Sequence, residues 1–324
     1  MSRRFGILLV LLVCLALALL AGVMFGSVAL STGDVWRAIR DGGGPGGVII
    51  RELRLPRVVL GVLVGAALAA SGTAYQSLFR NPLADPFIIG ASSGAALGAT
   101  LAIVAGGGQI GGGLSLVMVG AFLGALAAVA VVYALGAGGS PLTLLLAGVA
   151  VGTVLSATVS LIILVRDQSL QMVYYWVLGG LSGHGWNVMP ALLSIGGGAS
   201  MLLWALARPL DALAFGDEVA GSIGLPLGRA RAAIVLLATT ATAAAVAVSG
   251  IVGFVGLIGP HIARRLVGGR HGVLMPAAMM AGAMLLVLAD LVARTAIAPV
   301  EIPVGILTSL LGGPFFLYLL RRRR

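Results

Sequence analysis

The 324-residue sequence contains no lysine: its twenty basic residues are all arginine. A Walker A phosphate loop and Schiff-base chemistry both need that missing lysine, so the chain is not its own P-loop ATPase. Cysteine is almost absent as well. Cys14 stands alone inside the first apolar run, which excludes an internal disulfide and a cysteine metal cluster. The three histidines, His184, His261 and His271, are far apart and have no ligand-like spacing, so no metal site is expected. Nothing in the sequence resembles a nucleophile beside its base. Charge is scarce too, at 9% of residues.

What is present is apolar. Hydrophobic residues make up 60% of the chain and the mean hydropathy is +1.13, far above a soluble domain, so the solvent is lipid. The fold class is an all-α polytopic membrane protein, read as a single transmembrane domain over residues 1–324. Fifty glycines would weaken soluble helices, but between membrane helices small residues allow close backbone approach. The net charge of +10 is spread over loop positions and forms no single patch. It argues for membrane topology and against a nucleic-acid partner.

The apolar runs predict ten spans, at residues 5–30, 58–79, 88–105, 114–135, 142–165, 188–207, 232–248, 250–262, 273–292 and 304–320. The first is too long for the apolar core of a signal peptide. Between the first two lies a polar loop, 31–57, in which Thr32 or Asp34 could cap a short helix through Arg40 before a flexible 42–47 segment. Pro82 and Pro86 force a turn after the second span, and the glycine-rich 106–113 stretch reads as a loop. Residues 173–186 carry Tyr174, Tyr175, Trp176 and Trp186 and are too short to cross. They read as a helix along the interface or as a lining over a pore mouth.

Ten spans put both termini on one side. Placing them in the cytoplasm of a cell with this inner-membrane protein puts thirteen arginines inside and seven outside, as the positive-inside rule requires.

The longest polar interruption of the second half is Arg208 to Arg231. Leu210, Leu213 and Ala214 fall on one helical face, and after a break at Gly216 so do Val219, Ala220 and Ile223. Asp217 and Glu218 suit the positive end of the second helix, which Gly224 and Pro226 close. Two short amphipathic cytoplasmic helices are expected between spans six and seven. They either meet a partner or lie flat on the membrane.

Arg51, Arg54 and Arg57 crowd the outer edge of span two against the topological bias, and Arg294 ends span nine on the same side. Four arginines suit an acidic partner or an anionic ligand. Lipid headgroups, or pairing with Glu52 and Asp290, would account for them equally well. Asp290 and Arg294 stand at i and i+4, within reach of one another on a helix.

The blocks RLPRVVLGVLVGAALAASGTAYQSLFRNPLADPFIIGASSGA from Arg54, then GDEVAGSIGLP, SGIVGFVGLIGPHIARRLVGGRH, ADLVAR and EIPVGILTSLLGGPFFLYLL, occur in order along nearly the whole chain. Together they resemble the permease subunits of ABC importers for iron-siderophores, haem and cobalamin. The resemblance implies ten spans per subunit and a homodimer with the path on its two-fold axis. It also implies two cytosolic ATPase subunits that hold the ATP and magnesium, and a separate extracytoplasmic substrate-binding protein. This chain itself would bind no cofactor.

Carried onto this sequence, the resemblance makes residues 208–228 the coupling segment, with Leu213, Gly216, Asp217, Glu218, Ala220, Ile223, Gly224 and Leu225 facing the ATPase. It makes Arg54, Arg57 and Arg294 the docking arginines for the binding protein. Asn81, Leu83, Ser140 and Thr143 become gate residues, although Pro141 and Leu142 stand where some relatives carry small hydroxyl residues. Tyr174, Tyr175, Trp176 and His184 would lie along the path. The expected cargo is a ferric siderophore, with haem or cobalamin as alternatives. An ion-gradient-driven secondary transporter is the competing class, and it would need carboxylates or broken helices at mid-membrane.

Overall fold

In hydrocarbon every backbone N–H and C=O must find its partner inside the segment, so apolar runs of this length fold as helices. The structure, a computed structural model, describes residues 2–28, 30, 33, 35, 37, 40, 44–136 and 141–321. Thirteen helices carry the argument. They are α1 (Ser2–Met24), α2 (Leu55–Leu78), α3 (Ala91–Val104), α4 (Leu116–Leu135), α5 (Pro141–Val165), α6 (Leu170–Leu178), α7 (Trp186–Ala205), α8 (Ala207–Phe215), α9 (Asp217–Ser222), α10 (Leu227–Ser249), α11 (Val255–Val267), α12 (His271–Thr295) and α13 (Val304–Arg321). Among the described residues seven helices are long and apolar enough to cross a membrane, while α3 and α13 are shorter apolar helices.

Helix α2 is the central post. It packs against α10, α11 and α12, and most of its residues are buried. Helices α3, α4 and α5 form a second group beside it. Glycine makes the closest approaches possible. A Cβ on Gly98 would meet the Gly120 carbonyl, one on Gly94 the Gly124 carbonyl, and one on Gly65 would stand 2.5 Å from the Gly282 oxygen. This is small-residue packing of the kind the glycine content predicts.

Several boundaries differ from the sequence reading. Helix α1 stops at Met24 and not near Leu30, with Gly26 and Ser27 following. The helix of span two begins much earlier than Val58. Residues Gly44–Val48 and a π-helical turn, Ile49–Arg54, run straight into α2, so Arg51, Arg54 and Arg57 ride on one continuous helix and not in a loop. Thr32, Asp34 and the 41–43 segment lie outside the described residues.

The 106–113 stretch is not only loop. Gln109–Gly111 pairs antiparallel with Leu114–Ser115, and Ser115 caps α4 by accepting the Met118 N–H at 3.2 Å. The interfacial helix ends at Leu178, and Trp186 belongs to the next helix. Span eight starts five residues later than expected. Gly250 ends α10 at a φ of 65°, and Phe254, also left-handed at 66°, delays α11 to Val255. The break at Gly216 lies where the sequence places it, at a φ of 115° between two short helices.

Candidate functional site

One end of the bundle is built on arginine. The last carbonyls of α1 have no partner within their own helix, and two buried guanidinium groups take them. Arg54 donates to the Val23 carbonyl at 3.1 Å, to Met24 at 2.7 Å and to Val28, and Arg294 donates to Gly22 at 2.5 Å. Both suit the negative end of the helix dipole. Arg54 is 4% exposed and Arg294 2%.

Arg57 works differently. Its guanidinium grips Asp290 in a fork, Nη2 to Oδ1 at 2.8 Å and Nε to the two oxygens at 3.0 Å, and reaches Glu301 Oε2 at 2.7 Å. Asp290 also lies 3.6 Å from Arg294, the i,i+4 neighbour expected from spacing. Glu301 takes a further hydrogen bond from Ser182 at 3.1 Å, which ties down the 179–185 connection. Burial pushes the Glu301 carboxyl up, but the Arg57 and Ser182 bonds outweigh it and hold it below the usual carboxylate range.

Two clefts open here. One, of about 380 Å³, is lined by Glu52, Arg54, Arg57, His184, Arg294 and Glu301. The other, of about 390 Å³, is lined by Arg57, Tyr175, Trp176, His184, Ser249 and Glu301. His184 and Tyr175 therefore share a cleft with Arg57, while Tyr174 is exposed on α6. Burial draws the His184 imidazole below its ordinary range, against a bond to the Val248 backbone that raises it. The indole N–H of Trp186 reaches the Arg51 carbonyl at 2.9 Å, a link that spacing gives no hint of.

At the opposite end α2 closes in a tight turn. The Asn81 N–H bonds the Gln76 carbonyl at 3.0 Å and the Arg80 N–H the Ser77 carbonyl at 3.2 Å, with Arg80 left-handed at a φ of 50°. That pair of bonds is a Schellman closure with arginine where glycine is usual. Asn81 Oδ1 then accepts the Leu83 N–H at 3.0 Å, and Leu83 packs against the cluster of Leu257, Ile258 and Leu319. Asp85 accepts the Phe87 N–H at 2.9 Å. Its shielded carboxyl is pushed up to about 6, against that bond, which lowers it. Thr143 is exposed at the start of α5, and Ser140 lies outside the described residues. Between α3 and α5 a cleft of about 640 Å³ carries the hydroxyls of Ser92, Ser93, Thr153, Ser156 and Ser160.

Beside this turn stand α8 and α9. Leu210, Leu213 and Ala220 are buried at 0%, 2% and 0% exposure, anchoring both helices on the end of α2. Ala214 is exposed and Ala212 takes the buried place, because α8 presents its 210–213 edge to the bundle. Phe215, Val219 and Ile223, by contrast, are 79%, 47% and 68% exposed. Glu218 is exposed beside them, Asp217 pairs with Arg231 at 2.5 Å, and Gly224, at a φ of 79°, lets the chain turn back so that the Leu225 N–H reaches the Ala220 carbonyl. The result is a small apolar surface rimmed with charge.

One grouping escaped the sequence altogether. The fold brings Ser77, His271 and Asp211 into a hydrogen-bonded row, Oγ to Nε2 at 2.5 Å and Nδ1 to Oδ1 at 2.6 Å. The members are separated by 194 and 60 positions, so no local pattern could reveal them. His271 is 0% exposed and Ser77 3%. A substrate cannot reach the hydroxyl, and the row is not a hydrolase centre.

The profile of the FecCD transport family matches residues 10–322. A cobalamin import system permease, BtuC of Halobacterium salinarum, is 46% identical over 283 residues, covering 85% of this chain and 74% of its own. A hemin transport system permease, HmuU of Yersinia pestis, is 42% identical over 324 residues, covering 98% of this chain and 95% of its own. A solved structure described as an inward-facing metal-chelate type ABC transporter superposes with a TM-score of 0.83 at 31% identity, over 98% of this chain and 99% of that one. The ion-gradient alternative finds no support among these relatives. The chain belongs to the FecCD transport family, as a permease of the ABC importers.

Proposed function

We propose that this chain forms the membrane-spanning half of an importer that moves a metal chelate into the cell, powered by ATP hydrolysed in partner subunits. The observation that carries the reading is the pair α8 and α9. Their buried face is fixed to the end of α2, while Phe215, Val219 and Ile223 stay uncovered beside Glu218. An apolar patch with a charged rim is what a docking helix presents to a partner's groove. Leu213, Gly216, Asp217, Ala220, Gly224 and Leu225 shape that patch, and the ATPase, with its ATP and magnesium, is the partner that fits it.

Two copies would meet around a central path, with the largely exposed apolar face of α5 turned to lipid or to the second copy. Counting α3, α11 and α13 with the seven longer helices gives ten spans, both termini on the α8 side and that side in the cytoplasm. The Arg57 end then faces outward. There Arg57 would receive a carboxylate of the substrate-binding protein, with Arg54 and Arg294 set behind it on the carbonyls of α1. Asn81, Leu83, Ser140 and Thr143 would form the cytoplasmic gate, and Tyr174, Tyr175, Trp176 and His184 the outer mouth. ATP-driven closure of the partner dimer would move α8 and α9 and open one end of the path as the other shuts.

Within the metal chelates, a ferric siderophore is the expectation from sequence. Cobalamin and hemin are the cargoes for which the two relatives above are named. The test begins with mild detergent extraction from the native membrane and mass spectrometry of what co-purifies. A stoichiometric ABC ATPase supports the reading, and the complex then goes into liposomes for uptake of a ferric hydroxamate, hemin and cobalamin in parallel. Recovery of the chain alone, even after mild crosslinking, counts against it.

A further inference from the structure

Three polar side chains on three different helices meet beneath α8. Asp211 belongs to α8, His271 is the first residue of α12, and Ser77 lies in the last turn of α2. Asp211 Oδ1 receives two hydrogen bonds from one residue, the His271 backbone N–H at 2.8 Å and its Nδ1 at 2.6 Å. The carboxylate can only accept, so the Nδ1 proton is committed to it. Nε2 is left as an acceptor, and the Ser77 hydroxyl lies 2.5 Å away to donate. The single Ser77 hydroxyl proton has two acceptors in reach, Nε2 and, at 3.1 Å, the Thr73 carbonyl.

The row also has somewhere to lead. The Ser77 carbonyl holds the Arg80 N–H at 3.2 Å, and the Gln76 carbonyl holds Asn81 at 3.0 Å. Arg264 on α11 donates to the Gln76 side chain at 3.3 Å. The turn that carries Asn81 and Leu83 therefore hangs from the same helical end that Ser77 anchors. On the other side, Asp211 lies two residues before Leu213 and four before Phe215, on the helix whose exposed face offers the docking patch.

We infer that Asp211, His271 and Ser77 are positioning residues that transmit displacement of α8 to the turn after α2, and so make opening of the gate depend on the partner's ATP cycle. This rests on the reading of α8 and α9 as the ATPase contact. The apolar packing of Leu210 and Leu213 holds α8 in place whichever way it leans, because dispersion has little directional preference. The hydrogen-bonded row is directional. It breaks when α8 shifts by more than a fraction of an ångström, and a fully buried imidazole left without partners is costly. Such a row has two discrete conditions, made and broken, which is what a coupling element requires.

The experiment uses the whole importer in liposomes with its co-purifying ATPase and binding protein, and records ATP hydrolysis and chelate uptake together. Ser77→Ala and Asp211→Ala each remove one bond of the row with little change of buried volume and should assemble. The expected result is ATP hydrolysis within about twofold of wild type but about a tenfold fall in chelate moved per ATP. The double variant should lose no more than the worse single one, since the residues act as a unit.

Unchanged uptake per ATP in both variants would overturn the inference while leaving the importer intact. So would a parallel fall of hydrolysis and uptake together with reduced thermal stability, which is what a merely structural role produces. Additive losses in the double variant would overturn it as well. If wild type itself shows no ATP-driven uptake, the importer reading fails first, and the transmission role fails with it.

Discussion

Arg57 holds Asp290 and Glu301 at the same time, at 2.8 and 2.7 Å, and so joins α2 to α12 and to the connection that follows it. The two carboxylates are not equivalent. The Asp290 side chain is 3% exposed and that of Glu301 32%. Removing one partner of a buried pair strands the other, whereas a wet pair contributes little.

Asp290→Ala is therefore expected to lower stability by about 3 kcal/mol, because it leaves Arg57 with only the wetter Glu301 and Arg294 without its carboxylate neighbour on α12. Glu301→Gln should cost about 1 kcal/mol or less. Thermal unfolding of the detergent-purified protein ranks the two, and equal losses would contradict the assignment.

Glu301 also sets a dependence on acid. Its folded carboxyl lies below the ordinary value of 4.5, so its contribution is present above that value and is lost as pH falls through the folded value. Thermal stability should decline below about pH 4.5, and Glu301→Gln should flatten part of that decline.

Asp85 has the opposite sign. Its carboxyl is raised from 3.8 to about 6, so the fold favours the protonated form, and stability falls as pH rises through that window. Asp85→Asn keeps an oxygen for the Phe87 N–H. It should gain about 1 to 2 kcal/mol at pH 7, allowing for partial solvent contact, and nothing at pH 4. A gain of the same size at both pH values would rule out the ionisation argument.

Ile223→Asp places a charge on an exposed apolar position of the docking patch. ATPase binding should weaken about tenfold or more with thermal stability unchanged, whereas Leu213→Ala, at a buried position, should cost about 2 to 4 kcal/mol of stability. Pull-down and unfolding measurements on the same two variants separate surface from core.

Gly98→Leu must push α3 away from the Gly120 carbonyl, and the protein should fail to accumulate as a folded species. Gly6→Ala on α1 meets nothing within 4 Å and should be tolerated or slightly stabilising. Size-exclusion profiles after extraction report both.

Much of this architecture is legible because lipid imposes one rule: apolar length becomes helix. The break at Gly216 is equally readable, since a glycine between two amphipathic stretches followed by Asp217 and Glu218 is a local signal. What the sequence hides is direction. Arg54 and Arg294 sit among apolar residues at a span's edge, a pattern shared by headgroup contacts and docking sites. Only the fold turns them onto the carbonyls of α1.

The early start of the second helix is hidden because its first turns, around Pro45 and Arg51, look like loop. The late start of α11 depends on Phe254 adopting a backbone conformation that its own side chain disfavours. Ser77, His271 and Asp211 carry no mutual signal at all until three helices bring them together.

The capping of α1 by Arg294 has a consequence for how the protein is made. Helix α1 leaves the ribosome well before α12, yet one of its terminal carbonyls finds its donor 272 residues later in the chain. Through most of synthesis the Gly22 carbonyl must borrow water or headgroups as a substitute. The first span is thus finished near the end of translation, and a chain truncated before α12 would leave the membrane with a helix that entered correctly but was never locked.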